Sequence, residues 1–333
     1  MAVSGEQHRL LYRMAQAYYL DGLTQADIAR RFGLSRPKVS RQLKKARDLG
    51  IVAFNFTPPS SSAAHMERRL ELAYGLHEAV IVPVSNPHDH EATVRKLGPA
   101  AAECLLRCIS GGEVVATAWG TSIMALVDAL PFRSWPDVTV VQMLGGLGPV
   151  EAVDHSAILT QRIAQKLGAQ LRLLPAPGIV ATKEMAQALL SDPQTKQVLE
   201  LAAQADIAVV GLGVPSPESL LLRTGTILGQ RDLQLLRESC AVGDIALRYL
   251  DANGVPLDLE LNERLIGLSI EQITQIPRVI GIAGGVIKRD IIRAALRSHI
   301  LDVLVTDVGT AEALLAEAGS QENNTINVGC MDV

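Results

Sequence analysis

At 333 residues the chain is longer than one usual domain and shorter than three. Hydrophobic residues make up 48% of it but aromatic ones only 3%. The core must therefore be Ala, Val, Ile and Leu, which suits a buried parallel sheet wrapped by helices and argues against a β-sandwich. The net charge of −4 is unevenly divided: residues 1–60 hold ten Lys/Arg against four Asp/Glu, the remainder 21 against 31. A basic head that can engage phosphates is joined to an acidic body that repels them.

In chain order, Leu11, Met14, Ala15, Tyr18 and Tyr19 read as one supporting helix, with the tyrosines in its core face. Leu23 to Val52, LTQADIARRFGLSRPKVSRQLKKARDLGIV, then reads as a helix-turn-helix. Thr24 is an N-cap candidate with Asp27 three residues on, near the orphan amides of a helix start. Ile28, Ala29 and Phe32 form an apolar face, Ala29 is small where a second helix crosses, and Gly33 permits the turn. Ser35 is expected to cap the next helix, with Pro37 in its first turn. Val39, Leu43, Ala46 and Leu49 would pack that helix down, leaving basic, amide and hydroxyl side chains opposite. A basic amphipathic helix is more often a solvated surface, but the capping residues at both helix starts favour a major-groove reader. The candidate DNA-contacting residues are Thr24, Gln25, Ser35, Arg36, Lys38, Ser40, Arg41, Lys44 and Lys45. Arg36, Lys38 and Arg41 lie where base edges or flanking phosphates are reached, and Lys44 and Lys45 suit phosphates.

Gly50 to Phe56 alternates as a short strand and is expected to form a wing, so the DNA-binding domain spans 1–56. Residues 57–64, TPPSSSAA, mark the clearest boundary. His65 to Leu76 reads as a helix, either a dimerising linker, the preferred reading because such readers work in pairs, or the first helix of the body. The linker and this helix are assigned to 57–77 and an effector-binding domain to 78–333. There, apolar runs at 79–84, 113–119, 137–144, 170–177, 206–213, 278–285 and 301–309 alternate with helical patterns near 91–109, 122–130, 154–167, 183–190, 194–204, 287–297 and 310–318. That alternation predicts a doubly wound, mostly parallel α/β sheet. Asp251 to Gly254 reads as a turn between shorter strands.

Several runs end in small or hydroxylated residues where a helix begins, and in an open α/β sheet these carboxyl ends form the ligand crevice. The candidate effector-binding residues are Gly120, Thr121, Ser122, Gly145, Gly146, Gly211, Asp244, Gly284, Gly285 and Lys288; Leu147, Gly148, Gly213, Thr306 and Asp307 lie in the same kind of turn. Bare amides at helix starts favour an anion, and Lys288 would add charge from the first turn of its helix. Asp244 can accept sugar hydroxyls or serve as a structural cap. Each glycine cluster by itself also fits an ordinary strand-to-helix turn, and no G-x-G-x-x-G follows the first strand. Cys104, Cys108, Cys240 and Cys330 are read as reduced thiols, Cys104 and Cys108 sharing a helix face without companions for a metal cluster. No cofactor is expected. With no apolar signal region and no membrane-length apolar run, a cytoplasmic protein is expected.

AYYLDGLTQADIARRFGLSRPKVSRQLKKARDLGIV (17–52) resembles the N-terminus of the SorC family of sugar-responsive bacterial transcription regulators. VVGLGVP (209–215), AVGDI (241–245), IGIAGGVIK (280–288) and LVTDVGTAEALL (304–315) resemble its effector domain. The resemblance implies a winged reader of double-stranded operator DNA, an effector domain similar to sugar-phosphate isomerases and deaminases, and a homotetramer. It implies operator affinity controlled by a sugar phosphate or polyol, with effector loops at Gly120 to Ser122, Gly145 to Gly146, Asp244 and Gly284 to Lys288. Trp119 departs from the family pattern, being bulky where a smaller residue commonly precedes the glycine, and is expected to narrow the pocket. An isomerase- or deaminase-like enzyme with a DNA-binding head is the alternative. It lacks a positioned acid/base, since His155 and His299 fall away from the strand ends. A constitutive DNA-binding protein with a structural body is a third reading.

Overall fold

A computed structural model describes residues 5–54, 63–146, 150–214 and 230–328, and the chain divides into two compact units, Met1–Pro59 and Ser60–Val333. The first unit contains α1 (Gly5–Tyr19), α2 (Gln25–Phe32) and α3 (Arg36–Asp48). A reciprocal capping box opens α2: the Asp27 amide donates to the Thr24 hydroxyl at 3.2 Å, and the Thr24 amide donates to the Asp27 carboxylate at 3.2 Å. Gly33, at φ 66°, closes the helix. Ser35 is extended before α3, but its hydroxyl makes no capping bond, so that expectation is corrected. Pro37 in the first turn removes one amide that would otherwise need a partner. Met14, Ile28, Val39 and Leu43 form the core between the three helices.

The wing strand expected over Gly50 to Phe56 is also corrected as far as Phe54. Gly50 sits at φ 70°, its amide donates to Arg47 O at 2.9 Å, and the Ile51 amide donates to Ala46 O at 2.9 Å. Those two bonds make a Schellman C-cap, with Ile51 and Val52 packed on Leu11, Ala15 and Ala46. The apolar alternation reflects a helix end folding back on its own core. Phe54 instead meets Tyr19 edge-on, ring centroids 5.4 Å apart. Asn55, Phe56 and the proposed linker through residue 62 lie outside the described residues.

In the second unit, strands β1 (Glu78–Val82), β2 (Val114–Thr117), β3 (Thr139–Gln142), β4 (Gln170–Arg172), β5 (Ile207–Gly213), β8 (Val279–Ile282) and β9 (Val303–Asp307) form a parallel path, with β6 (Gly243–Ile245) and β7 (Arg248–Leu250) as an antiparallel hairpin off β5. The order is β1-β9-β8-β5-β2-β3-β4. Both faces carry an aliphatic core, one under α5 (His90–Cys108), α6 (Thr121–Ala129) and α7 (Val150–Leu167), the other including Ala202, Ile291 and Leu314. The alternation of sequence patterns thus yields the expected doubly wound sheet. Boundaries tighten: the run at 170–177 is a strand only over Gln170–Arg172, with an isolated bridge from Pro177 to Gly146, and the helix expected from 287 begins at Arg289 after a 3₁₀ turn, Val286–Lys288. The last helix, Val308–Val328, is longer than the pattern at 310–318. The turn Asp251 to Gly254 follows β7 and leads only to a bridge between Leu250 and Pro256.

Helix α4 (Ala63–Tyr74) packs on the second unit rather than standing apart from it. Leu70 is fully buried in the sheet core. The carboxylates of Glu67 and Glu71 accept from the Ile81 and Ala79 amides of the edge strand β1, at 3.0 and 3.3 Å. Amides that would template another strand are thereby occupied. No helix among the described residues is long and apolar enough to cross a membrane.

A close helix crossing lies at Gly98 of α5, where a Cβ would stand 2.4 Å from the Ala125 carbonyl oxygen of α6. Gly98→Val is expected to cost about 1–3 kcal/mol through overpacking; an unchanged urea midpoint for the second unit would show that the helices separate freely. Hydrogen bonds from Thr24, then Arg30, hold the Asp27 carboxyl below its ordinary range. A depressed folded pKa contributes stability above the unfolded value of about 3.9 that is lost as pH falls through the folded one. Thermal melts of Asp27→Asn should accordingly lose the acid-sensitive part of the first unit's stability, and identical acid sensitivity in the variant would argue against the capping box.

Candidate functional site

The first unit presents α3 with Val39, Leu43 and Ala46 buried and Ser35, Arg36, Lys38, Ser40, Arg41 and Lys44 exposed. Lys45 and Gln25 are half-buried. Among the described residues no ion pair engages Arg36, Lys38, Arg41, Lys44 or Lys45, whereas Arg30 is paired with Asp27. A row of unpaired cations on an exposed helix face is what a phosphate backbone attracts. Thr24 is placed differently from the other candidates, since its hydroxyl is engaged with Asp27 in the capping box.

In the second unit a cavity of about 150 Å³ lies at the carboxyl ends of β2 and β5. From β2 the chain winds outward to β3 and β4, while from β5 it winds the other way to β8 and β9. These neighbours, paired Thr117 to Val209, therefore flank the point where strand order reverses, and the loops leaving them diverge. The residue after β2 positions one wall: Gly120, at φ 131°, is the N-cap of α6, and no side chain caps that helix. Thr121 and Ser122 follow, and Trp119 stands before them with its indole nitrogen buried and without an acceptor. Gly211 and Val214 supply the β5 side, Asp244 and Lys288 the floor.

Asp244 and Lys288 are both buried. The Lys288 ammonium donates to Leu212 O, and the Asp244 carboxylate accepts from the Leu247 amide at 3.0 Å. Burial pushes Lys288 below and Asp244 above its ordinary pKa, each partly offset by the other's charge. Gly213 makes this possible, because a Cβ there would fall 1.9 Å from Asp244 Oδ1. The β6–β7 turn brings Ala246 and Leu247 to the same cavity, at φ 49° and 65°. Positive φ at both central residues is the type I′ requirement, normally met by Asn-Gly. Asp244 holds this turn from within, and Arg248 anchors it by donating to the carbonyls of Leu268, Gly267 and Asn262 at 3.1 to 3.4 Å.

Of the ten effector candidates, Gly120, Thr121, Ser122, Gly211, Asp244 and Lys288 line the cavity; Gly145, Gly146, Gly284 and Gly285 do not. At three of these four the amide is already engaged. Gly145 and Gly146 amides donate to Ile266 O and Ala176 O at 3.0 and 3.2 Å, and the Gly285 amide donates to Asp307 Oδ2 at 2.6 Å. Asp307 also accepts from the Thr310 amide and hydroxyl, so the strand end Thr306-Asp307 caps the last helix. Lys288 lies in the 3₁₀ turn, as the N-cap of the following helix. Leu147 and Gly148 fall outside the described residues. Sequence reading did not single out His90, Leu144, Ala246, Leu247 or Ile287, which also line the cavity. None carries a motif, and no signal in the sequence marks them.

A helix-turn-helix with an unpaired basic face, and an α/β body with a cavity at its topological switch point, define a DNA-binding transcription regulator with a ligand-receiving domain. Residues 59–316 match the family described as "Putative sugar-binding domain", and residues 3–60 match the MarR family. The chain is 33% identical over 317 residues to the transcriptional regulator LsrR of Enterobacter sp. (strain 638), covering 94% of each. It is 30% identical over 310 residues to the deoxyribonucleoside regulator of Bacillus subtilis (strain 168), covering 93% of this chain and 98% of that one. The crystal structure of the full-length sorbitol operon regulator SorC from Klebsiella pneumoniae matches with a TM-score of 0.70 at 28% identity, covering 93% and 100%. The chain belongs to the SorC family of sugar-responsive bacterial transcriptional regulators.

Two classes of contact on α3 should separate experimentally. Arg41→Ala is expected to lower specific operator affinity by about 1–3 kcal/mol, the range of a bidentate arginine–guanine pair, with ligand binding by the body unchanged. Replacing Lys44 and Lys45 by Ala should lower the slope of log affinity against log salt by roughly one to two. Fluorescence anisotropy at several salt concentrations distinguishes them, and an unaltered slope in the lysine variant would place both residues off the DNA.

Proposed function

We propose that this regulator represses a carbohydrate or polyol catabolic operon and that a sugar phosphate or related polyol, held in the strand-end cavity, sets its operator affinity. What carries this reading is the convergence in one cavity of an uncapped helix N-terminus, a buried Asp–Lys pair and an indole. Relatives named for sorbitol and for deoxyribonucleosides support the carbohydrate class. The uncapped start of α6, at Gly120 to Ser122, suits an anionic group through its amides and its dipole. Lys288 adds charge by exchanging Leu212 O for the ligand, and Asp244 accepts from sugar hydroxyls. The indole of Trp119 offers an apolar face to the ring C–H groups and an N–H to a ligand oxygen. Gly284 and Gly285 act one layer out, by letting Asp307 fix the loop that carries Lys288.

Control requires that the ligand bind the DNA-competent and DNA-incompetent states unequally. Couplings of about 1–3 kcal/mol, or roughly 5- to 150-fold in operator affinity, are the usual range. One helix-turn-helix makes too few contacts to discriminate a genomic site. We infer a homo-oligomer, a tetramer by the family pattern, that reads half-sites roughly 34–36 Å apart.

The test is operator binding against a panel of phosphorylated and free sugars and polyols. An active compound should lower operator affinity at least about 5-fold and raise the melting temperature of the second unit. Lys288→Met should abolish that response to a phosphorylated compound while leaving effector-free operator binding intact. Wild-type ligand affinity in this variant by calorimetry would remove Lys288 from the site, and silence of the whole panel in both assays would overturn the proposal.

A further inference from the structure

At the amino ends of the strands, away from the cavity, the last turn of α5 carries a thiol cluster. Cys108 ends the helix, half-buried, and Cys104 lies one turn earlier on the same face, fully buried. The Arg278 guanidinium, just before β8, donates to Cys108 Sγ at 3.6 Å. The charged neighbours from other elements are few. Glu78, opening β1, would oppose a negative sulfur, but its carboxylate is held by Arg107 at 2.6 Å. The neighbouring Cys108 and burial push the Cys104 thiol far up, so that of the two sulfurs Cys108 ionises. The adjacent Cys104 and the Arg278 guanidinium together lower the Cys108 thiol to about 6 against the cost of partial burial.

We propose that Cys108 is a modification site, a thiolate held by Arg278 and Cys104 that peroxides and other small soft electrophiles attack. With a peroxide, the sulfur lone pair forms an S–O bond as the O–O bond breaks. Sulfur is oxidised by two electrons to the sulfenic acid, and the peroxide is reduced to an alkoxide or hydroxide that takes a proton from water. Oxidation removes the negative charge facing Arg278 and so the contact joining the end of α5 to the start of β8. Cys104 differs by burial: it lies beside the reactive sulfur and is not itself reached.

The experiment alkylates the full-length protein with iodoacetamide from pH 7 to 9 and follows the Cys108 peptide by mass spectrometry, folded and in guanidinium chloride. Because the thiolate is the nucleophile and a free cysteine titrates near about 8.5, the denatured protein should speed up roughly 20-fold across this range. In the folded protein the rate should change less than about twofold, since the thiolate is already formed. Arg278→Met should restore a rise with pH, and hydrogen peroxide with dimedone should mark Cys108 in the wild type. A folded-state rate that climbs in parallel with the denatured one, no reaction of folded Cys108 at any pH, a flat profile in Arg278→Met, or no dimedone adduct would each overturn the proposal. The wild-type profile decides the matter even if the variant fails to fold.

Discussion

The parallel pairing of β2 with β5 is the constraint on which the second unit depends. The crossovers carry the chain from β2 toward one edge of the sheet and from β5 toward the other, so the loops leaving these two strands separate. No helix can close the gap between diverging crossovers, and a cavity follows as a consequence of topology. Its walls are then the residues that happen to leave the two strands: Trp119 to Ser122 from β2, Gly211 to Val214 from β5. Everything chemical about the site is built on that gap.

The floor of the gap is expensive to build. A buried carboxylate and a buried ammonium each lose hydration, and their mutual attraction restores only part of it. The structure meets the remainder with backbone: Leu212 O for Lys288 and the Leu247 amide for Asp244. The second of these requires two non-glycine residues at positive φ, a strain of the kind that concentrates at functional sites. A ligand that replaces either backbone partner changes the balance of the turn and the 3₁₀ segment together, so binding and loop geometry are linked by the same two hydrogen bonds.

The two units divide the electrostatic work. The cations of α3, exposed except for the half-buried Lys45, have no ion-pair partner among the described residues, which leaves them available to phosphates. In the second unit several cations are committed to carboxylates, Arg264 to Asp232, Arg293 to Asp290 and Glu317, Arg107 to Glu78. An overall acidic chain can thus bind an acidic polymer, because the relevant charge is local within about a Debye length.

Local chemistry determined much of this protein from its sequence alone. The helix-turn-helix and the strand–helix alternation were legible because capping, periodicity and turn preference act over a few residues. Six cavity residues were legible too, since Gly120 to Ser122, Gly211, Asp244 and Lys288 occupy strand ends or their immediate partners. Where two local patterns coincide, the sequence was ambiguous: Gly50 to Val52 alternates like a strand and also closes a helix with Gly at C′ and an apolar residue after it. Tertiary structure decided that case through the core formed by Leu11, Ala15 and Ala46. It also decided which glycine loops face the cavity. An amide's availability depends on whether a distant acceptor has taken it, and Ile266, Ala176 and Asp307 are distant in sequence from the glycines they engage. The pairing of Arg278 with Cys108, 170 residues apart, is set in the same way, by strand order, which no local pattern encodes.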